Sequence, residues 1–198
     1  MIDPRRVKIT TQPSIEPVTS TEAKLHCRID ASTEDSLIAF WIETARLQCE
    51  DISRRAFITR TYTAFLDCWP CGLFELPYPP LLAVSSIKYY DDLGNPAATF
   101  NASNYQVDAH SEPGRVALKS AANWPSTTLR DINGVEIIYT AGYGSNATDV
   151  PDRYKAAMLL LIAHYYENRE SVIVGQGVSV SQLPQGVYDL LMMDRGGW

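Results

Sequence analysis

The chain has 198 residues, 45% of them hydrophobic, which is enough for a packed core in one domain or two small ones and excludes a disordered polymer. Its formal net charge of -6, without any cluster of Lys and Arg, excludes a protein that holds nucleic acid by gripping phosphates. Polar residues follow Met1-Ile-Asp-Pro-Arg-Arg6 where a secretory signal would carry an apolar core, and no apolar run approaches the roughly 20 residues of a membrane span, so the sequence predicts a chain made in the cytoplasm.

Residues 1–18 carry Pro4, Pro13 and Pro17 with little periodicity and read as an extended arm lying on the surface or on a partner. Thr19-Ser-Thr-Glu22 then sets a hydroxyl three residues before a carboxylate, so that each side chain can satisfy a free amide at a helix start, and a short helix is expected over Ala23 to Arg28. Ser32-Thr-Glu-Asp35 has the same form. Behind it, Leu37, Ile38, Trp41, Ile42, Ala45, Cys49 and Ile52 recur at helical spacing, which predicts an amphipathic helix over about 34–54 with Glu43, Arg46 and Glu50 turned away from the core. Trp41 reads as a core residue on that stripe, and Phe40 beside it as the better candidate for contact with a partner. Residues 19–57 thus form the first half of a helical core.

From Ile58 the composition changes to β-branched and aromatic residues, and Ile58 to Leu66 reads as a strand. Further strands are expected at Leu73 to Leu76, Val84 to Tyr90, Tyr105 to Asp108, Arg115 to Leu118 and Val135 to Thr140. Turn sequences such as Asp91-Asp-Leu-Gly-Asn95 and Asn133-Gly134 separate them. The fold class is α+β: a helical core with a small antiparallel β-domain inserted at residues 58–141.

Within this region Cys68-Trp-Pro-Cys71 is the one CxxC pair among four cysteines, the others being Cys27 and Cys49. A structural zinc site calls for a second pair or for closely spaced histidines, and His26, His110 and His164 are scattered. A reactive thiol calls for a helix N-terminus, whereas Gly72 and a strand follow Cys71. Cys68 and Cys71 therefore read as turn cysteines.

Residues 142–170 supply the second half of the helical core. Gly142-Tyr-Gly144 lacks the Gly-Lys-Ser/Thr ending of a phosphate loop and reads as a turn. Pro151 starts the third helix, in which Ala156 to Ala163 offers no polar face, so both sides call for cover and a neighbouring copy of the chain is expected to supply part of it. Met158, Leu161, Ile162, Tyr165 and Tyr166 are the expected subunit contacts. Arg169 either stabilises the negative end of its own helix or pairs with a carboxylate on the next subunit. His164, Glu167 and Glu170 share this helix without the spacing or the convergent partners of a metal or acid-base site.

In residues 171–198, Ser171 to Ser181 is uncharged, β-prone and broken by Gly175 and Gly177. Such a segment suits backbone pairing with another chain as well as it suits a simple loop. Val172, Ile173, Val174, Gly175, Gly177, Val178 and Val180 are candidates for contact with other proteins. So are Leu190 and Leu191 on a short terminal helix over Gln185 to Met193, and Trp198 at the end.

The order of these parts resembles the head-tail connector, or adaptor, proteins of long-tailed bacteriophages and related phage-like particles, in the version with a β insertion. The likeness is carried by Val18 to Asp30, Asp35 to Arg46, Leu76-Pro-Tyr-Pro-Pro80 with the strand through Asp91, Trp124-Pro125, Thr140-Ala-Gly-Tyr-Gly144, Val150-Pro151, His164 to Glu170 and Leu183-Pro-Gln-Gly-Val187. Cys68-Trp-Pro-Cys71 and Gly196-Gly-Trp198 depart from it. The resemblance implies a structural virion protein at the head-tail junction, a ring of about twelve subunits beneath the portal protein that also meets a stopper or other tail-proximal neck protein. It implies a lumen through which DNA passes, and an acidic chain fits a conduit that does not hold its cargo. No catalytic residue, metal or cofactor is assigned. The competing readings are another neck component (a stopper or tail-completion protein), a thiol-dependent enzyme using Cys68 or Cys71 with His110, and a carbohydrate-binding β-module.

Overall fold

The computed structural model describes residues 2–168 and 184–193. Alternating burial organises the first of its two compact units, which comprises Met1–Pro13 and Thr59–Tyr143. Strand β8 (Val135–Ala141) puts Val135, Ile137, Tyr139 and Ala141 inward and the residues between them toward solvent. It is the centre of an antiparallel five-stranded sheet of order β1-β2-β8-β4-β5. The other members are β1 (Val7–Thr11), β2 (Arg60–Leu66), β4 (Leu81–Tyr89) and β5 (Ala98–Phe100). The register of β2 on β8 sets Tyr62 opposite Tyr139, their rings stacked 5.3 Å apart, and the Tyr139 hydroxyl donates to the Pro77 carbonyl at 3.0 Å.

A second, three-stranded antiparallel sheet has the order β3-β7-β6, from β3 (Phe74–Glu75), β6 (Tyr105–Asp108) and β7 (Arg115–Leu118). Gly114, just before β7, lies so close to Leu81 that an added Cβ would stand 2.3 Å from the leucine Cβ, so only glycine fits there. Trp69, Phe100 and Trp124 fill the space beside these strands, with Trp69 stacked on Trp124 at 4.7 Å.

The sequence did not reveal β1 or β5. Residues 7–11, inside what reads as an extended arm, are fixed because Val7 to Thr11 pair with Ala64 to Thr61 and because the Ile2 amide donates to the Glu75 carbonyl at 3.0 Å. Partners this distant in sequence leave no local periodicity, and β5 is only three residues long.

The second unit comprises Ser14–Ile58 and Gly144–Trp198. Its helices are α1 (Ser20–Cys27), α2 (Asp35–Ser53), α3 (Asp152–Glu167) and α4 (Gln185–Met192). The capping box expected at α1 is present: the Glu22 amide donates to Thr19 Oγ1 at 3.2 Å and the Thr19 amide to Glu22 Oε2 at 2.7 Å. The similar Ser32–Asp35 sequence does not act this way. No side chain caps α2, and the Asp35 carboxylate is taken by Lys24 Nζ at 2.7 Å.

Helix α3 packs against α1, α2 and α4. Ile38, Ile42, Ala45 and Cys49 of α2 meet a core that includes Ala157, Met158, Leu161 and Ile162 of α3 and Val187 and Leu191 of α4, all buried. Of the three polar residues expected to face solvent on α2, only Glu43 does. Arg46 is 2% exposed and Glu50 6%. Both were read as outward from spacing alone, but a salt bridge of 2.7 Å from Arg46 Nε to Glu16 Oε2, and one of 3.1 Å from Arg46 Nη1 to Glu50 Oε2, makes their burial tolerable.

Candidate interaction surfaces

Among the described residues no group of three or more His, Cys, Asp or Glu is placed to hold a metal, and no helix is long and apolar enough to cross a membrane. The cysteines are free thiols: Cys68 and Cys71 are exposed, Cys27 is half-buried and Cys49 is buried. Burial, with Glu50 beside it, pushes the Cys49 thiol up to about 12, the opposite of an activated nucleophile. The Cys68–Cys71 loop is positioned by Trp124, whose indole N–H donates to the Pro70 carbonyl at 3.0 Å. Beside His110, Asp108 accepts the His110 amide at 3.0 Å, and hydrogen bonds from Ser111 and Arg115 hold its carboxyl well below the usual range. These hydrogen bonds brace a turn. The surfaces that the helices leave uncovered therefore carry the functional question.

The expected contact residues of α3 fall into two groups. Met158, Leu161 and Ile162 lie inside the chain's own helical unit, each at most 1% exposed. The cover that the sequence reading assigned to a sister copy comes here from α2 and α4, because an i, i+3, i+4 set on α3 faces both of them. Tyr165 and Tyr166 are half-buried at the C-terminal end. The Tyr165 ring stacks on Trp41 at 4.9 Å and its hydroxyl donates to Gln48, while the Tyr166 hydroxyl donates to Glu34 Oε2 at 2.6 Å. The large apolar side chain that α3 leaves open is Leu160, 40% exposed and aligned with the exposed Ala156.

On α4, Leu191 is buried and Leu190 half-buried, so this face docks on the chain's own helices. Tyr188 and Met193 point outward. The candidates Arg169, Val172, Ile173, Val174, Gly175, Gly177, Val178, Val180 and Trp198 lie outside the described residues. Phe40 is an exposed ring, set edge-on to Trp41 at 4.9 Å. Trp41 is half-buried between Phe40 and Tyr165, and its buried indole N–H has no hydrogen-bond partner among the described residues. Leu47, two turns beyond Phe40, and Leu25 on α1 are exposed apolar residues that the sequence reading did not single out. Both sit at positions that the helical period turns outward, a signal visible in the sequence once α1 and α2 are drawn as helices.

Residues 117–195 match the family described as Phage gp6-like head-tail connector protein. No curated protein matches the chain. Among solved structures, a chain in the virion of a native gene transfer agent (GTA) particle is similar with a TM-score of 0.74 and 22% identity, over 93% of this chain and 92% of that chain. A chain in the neck of an empty GTA particle computed with C6 symmetry has a TM-score of 0.75, 22% identity and the same coverage. A third, in the neck of a native GTA particle computed with C12 symmetry, has 0.65 and 21%, over 92% and 94% of the two chains. The resemblance read from the sequence is thus borne out by the family match over the C-terminal part, and the α+β fold by likeness to these chains of GTA particles over more than nine tenths of the molecule. The matched family is one of connector proteins, not of enzymes.

Proposed function

We propose that this chain is a structural component of the neck of a phage-like particle, a head-tail connector. In this reading it assembles into a ring of about twelve copies beneath the portal protein, joins head to tail and surrounds the path of the DNA. The observation that supports it most is the joint one: a connector-family match at residues 117–195 on a fold shared over more than nine tenths of the chain with chains of GTA particles, necks among them. The charge balance agrees. The helical unit carries nine basic and fourteen acidic residues and the β-unit eight and nine, so neither offers DNA a cationic grip, and cargo can slide past.

Subunit contacts on the helical unit fall to side chains that the single chain leaves open, Phe40, Leu47 and Leu160 among them, together with the exposed parts of Tyr165 and Tyr166. The outer face of α4 and the segment that includes Val172 to Val180 are assigned to the portal and tail-proximal proteins. Size-exclusion chromatography with light scattering on the purified chain, with and without portal protein, tests the ring. A discrete ring-sized species in at least one condition is expected, and monomers in both would overturn the proposal.

A further inference from the structure

One stripe of α2 faces solvent: Ser36, Phe40, Glu43, Leu47 and Asp51, spaced three and four residues apart. Phe40 and Leu47 are 55% and 41% exposed, and the Glu43 carboxylate between them has no partner among the described residues. Along α1 and just past its C-terminal end, Thr21, Lys24, Leu25, Arg28, Ile29 and Asp30 line an open groove in which Leu25 is 80% exposed. Lys24 is already neutralised by Asp35. Arg28 is different: its backbone amide closes the helix in the left-handed conformation, φ 57, and its guanidinium has no ion-pair partner among the described residues.

The two surfaces match in chemistry. Phe40 stands three residues before Glu43 on one face of α2, and Leu25 stands three residues before Arg28 at the end of α1. Each therefore presents one large apolar side chain with one unpaired charge, of opposite signs: Glu43 a helical turn from Phe40, and Arg28 lining the same groove as Leu25. They are different patches on the same helical unit, so contact between them is heterologous and each copy offers both halves, as a closed ring requires. A unit this acidic also repels its own copies unless cations of one copy meet carboxylates of the next.

We infer that the α2 stripe of one copy docks in the α1 groove of the next, with Phe40 packing against Leu25 and Glu43 pairing with Arg28. The inference rests on the ring reading and names the surfaces that build it. Charge reversal tests it on the full chain, with association followed by sedimentation velocity, with and without portal protein. Glu43→Arg and Arg28→Glu are each expected to weaken ring formation by about tenfold or more while circular dichroism stays unchanged, because both side chains are on the surface. The double variant Glu43→Arg/Arg28→Glu is expected to restore association. If the wild type forms rings and the single reversals form them equally well, or the double variant is no better than either single, this contact is wrong and the ring stands. If the wild type never associates in either condition, the ring and the contact fall together.

Discussion

Arg46 and Glu16 are thirty positions apart in the chain, yet Arg46 Nε donates to Glu16 Oε2 at 2.7 Å from a side chain that is almost entirely buried. The same guanidinium donates from Nη1 to Glu50 Oε2, whose other oxygen accepts the Phe57 amide at 2.8 Å. One helix turn of α2 thus ties Glu16 and the Phe57 amide into the helical unit. Burial works against the Arg46 charge, but the two carboxylates outweigh it and move its pKa up.

Removing the guanidinium would take from the buried Glu50 its salt bridge of 3.1 Å. Arg46→Ala is expected to lower the stability of the helical unit by about 3–5 kcal/mol, whereas Glu16→Gln, at a partly exposed position, is expected to cost about 1 kcal/mol. Urea unfolding followed by far-UV circular dichroism checks both, and an Arg46→Ala loss below about 1 kcal/mol would contradict the buried-clamp account.

Neighbouring leucines on α3 should behave differently. Leu161 is fully enclosed within the chain, so Leu161→Ala leaves a cavity and is expected to cost about 2–5 kcal/mol in the isolated protein. Leu160→Ala, at an exposed position, is expected to change monomer stability by no more than about 0.5 kcal/mol and to show its effect, if any, in association. Equal losses of monomer stability would mean that the helix is rotated from the orientation described.

Thiol reactivity separates Cys49 from Cys68 and Cys71. At pH 8 Cys68 and Cys71 are exposed and are expected to react with iodoacetamide within minutes in the native protein. Cys49 should remain protected, being buried and raised to about 12 from an ordinary value of 9.0. In urea Cys49 should label as readily as the others, because unfolding restores the ordinary thiol. Peptide mass spectrometry reads the ratio, and native labelling of Cys49 at the rate of Cys68 would refute its placement.

Alkaline stability should depend on Tyr139. Burial above all, with the Tyr62 and Tyr78 hydroxyls nearby, raises its phenol above the ordinary 10.0, so the folded chain keeps a proton that the unfolded chain releases. Its contribution is therefore complete below about pH 10 and is lost as pH rises beyond that. Tyr139→Phe leaves the Pro77 carbonyl without its donor and is expected to cost about 1 kcal/mol at pH 7, with the gap to wild type narrowing above about pH 10. A gap that stays constant through pH 11 would count against burial of the hydroxyl.

Local periodicity carried much of this fold. The β-prone run Val135 to Thr140 after the Asn133-Gly134 turn marked β8, the recurrence of Ile38, Ile42, Ala45 and Cys49 marked α2, and Thr19 with Glu22 marked the start of α1. Each signal is local because backbone geometry repeats every two or every 3.6 residues, so a single segment shows which of its faces is apolar.

Contacts between distant segments were decided only in three dimensions. Strand β1 exists because β2 offers it an edge, Arg46 and Glu50 are interior because Glu16 and the Phe57 amide arrive to satisfy them, and α3 is enclosed by α2 and α4 in the same chain. An apolar helix demands cover, but its sequence does not name what covers it: burial is a free energy of area removed from water, indifferent to which chain does the removing. For the same reason the outward Phe40, Leu25, Glu43 and Arg28 acquired meaning only after the inward faces of α1 and α2 had been assigned.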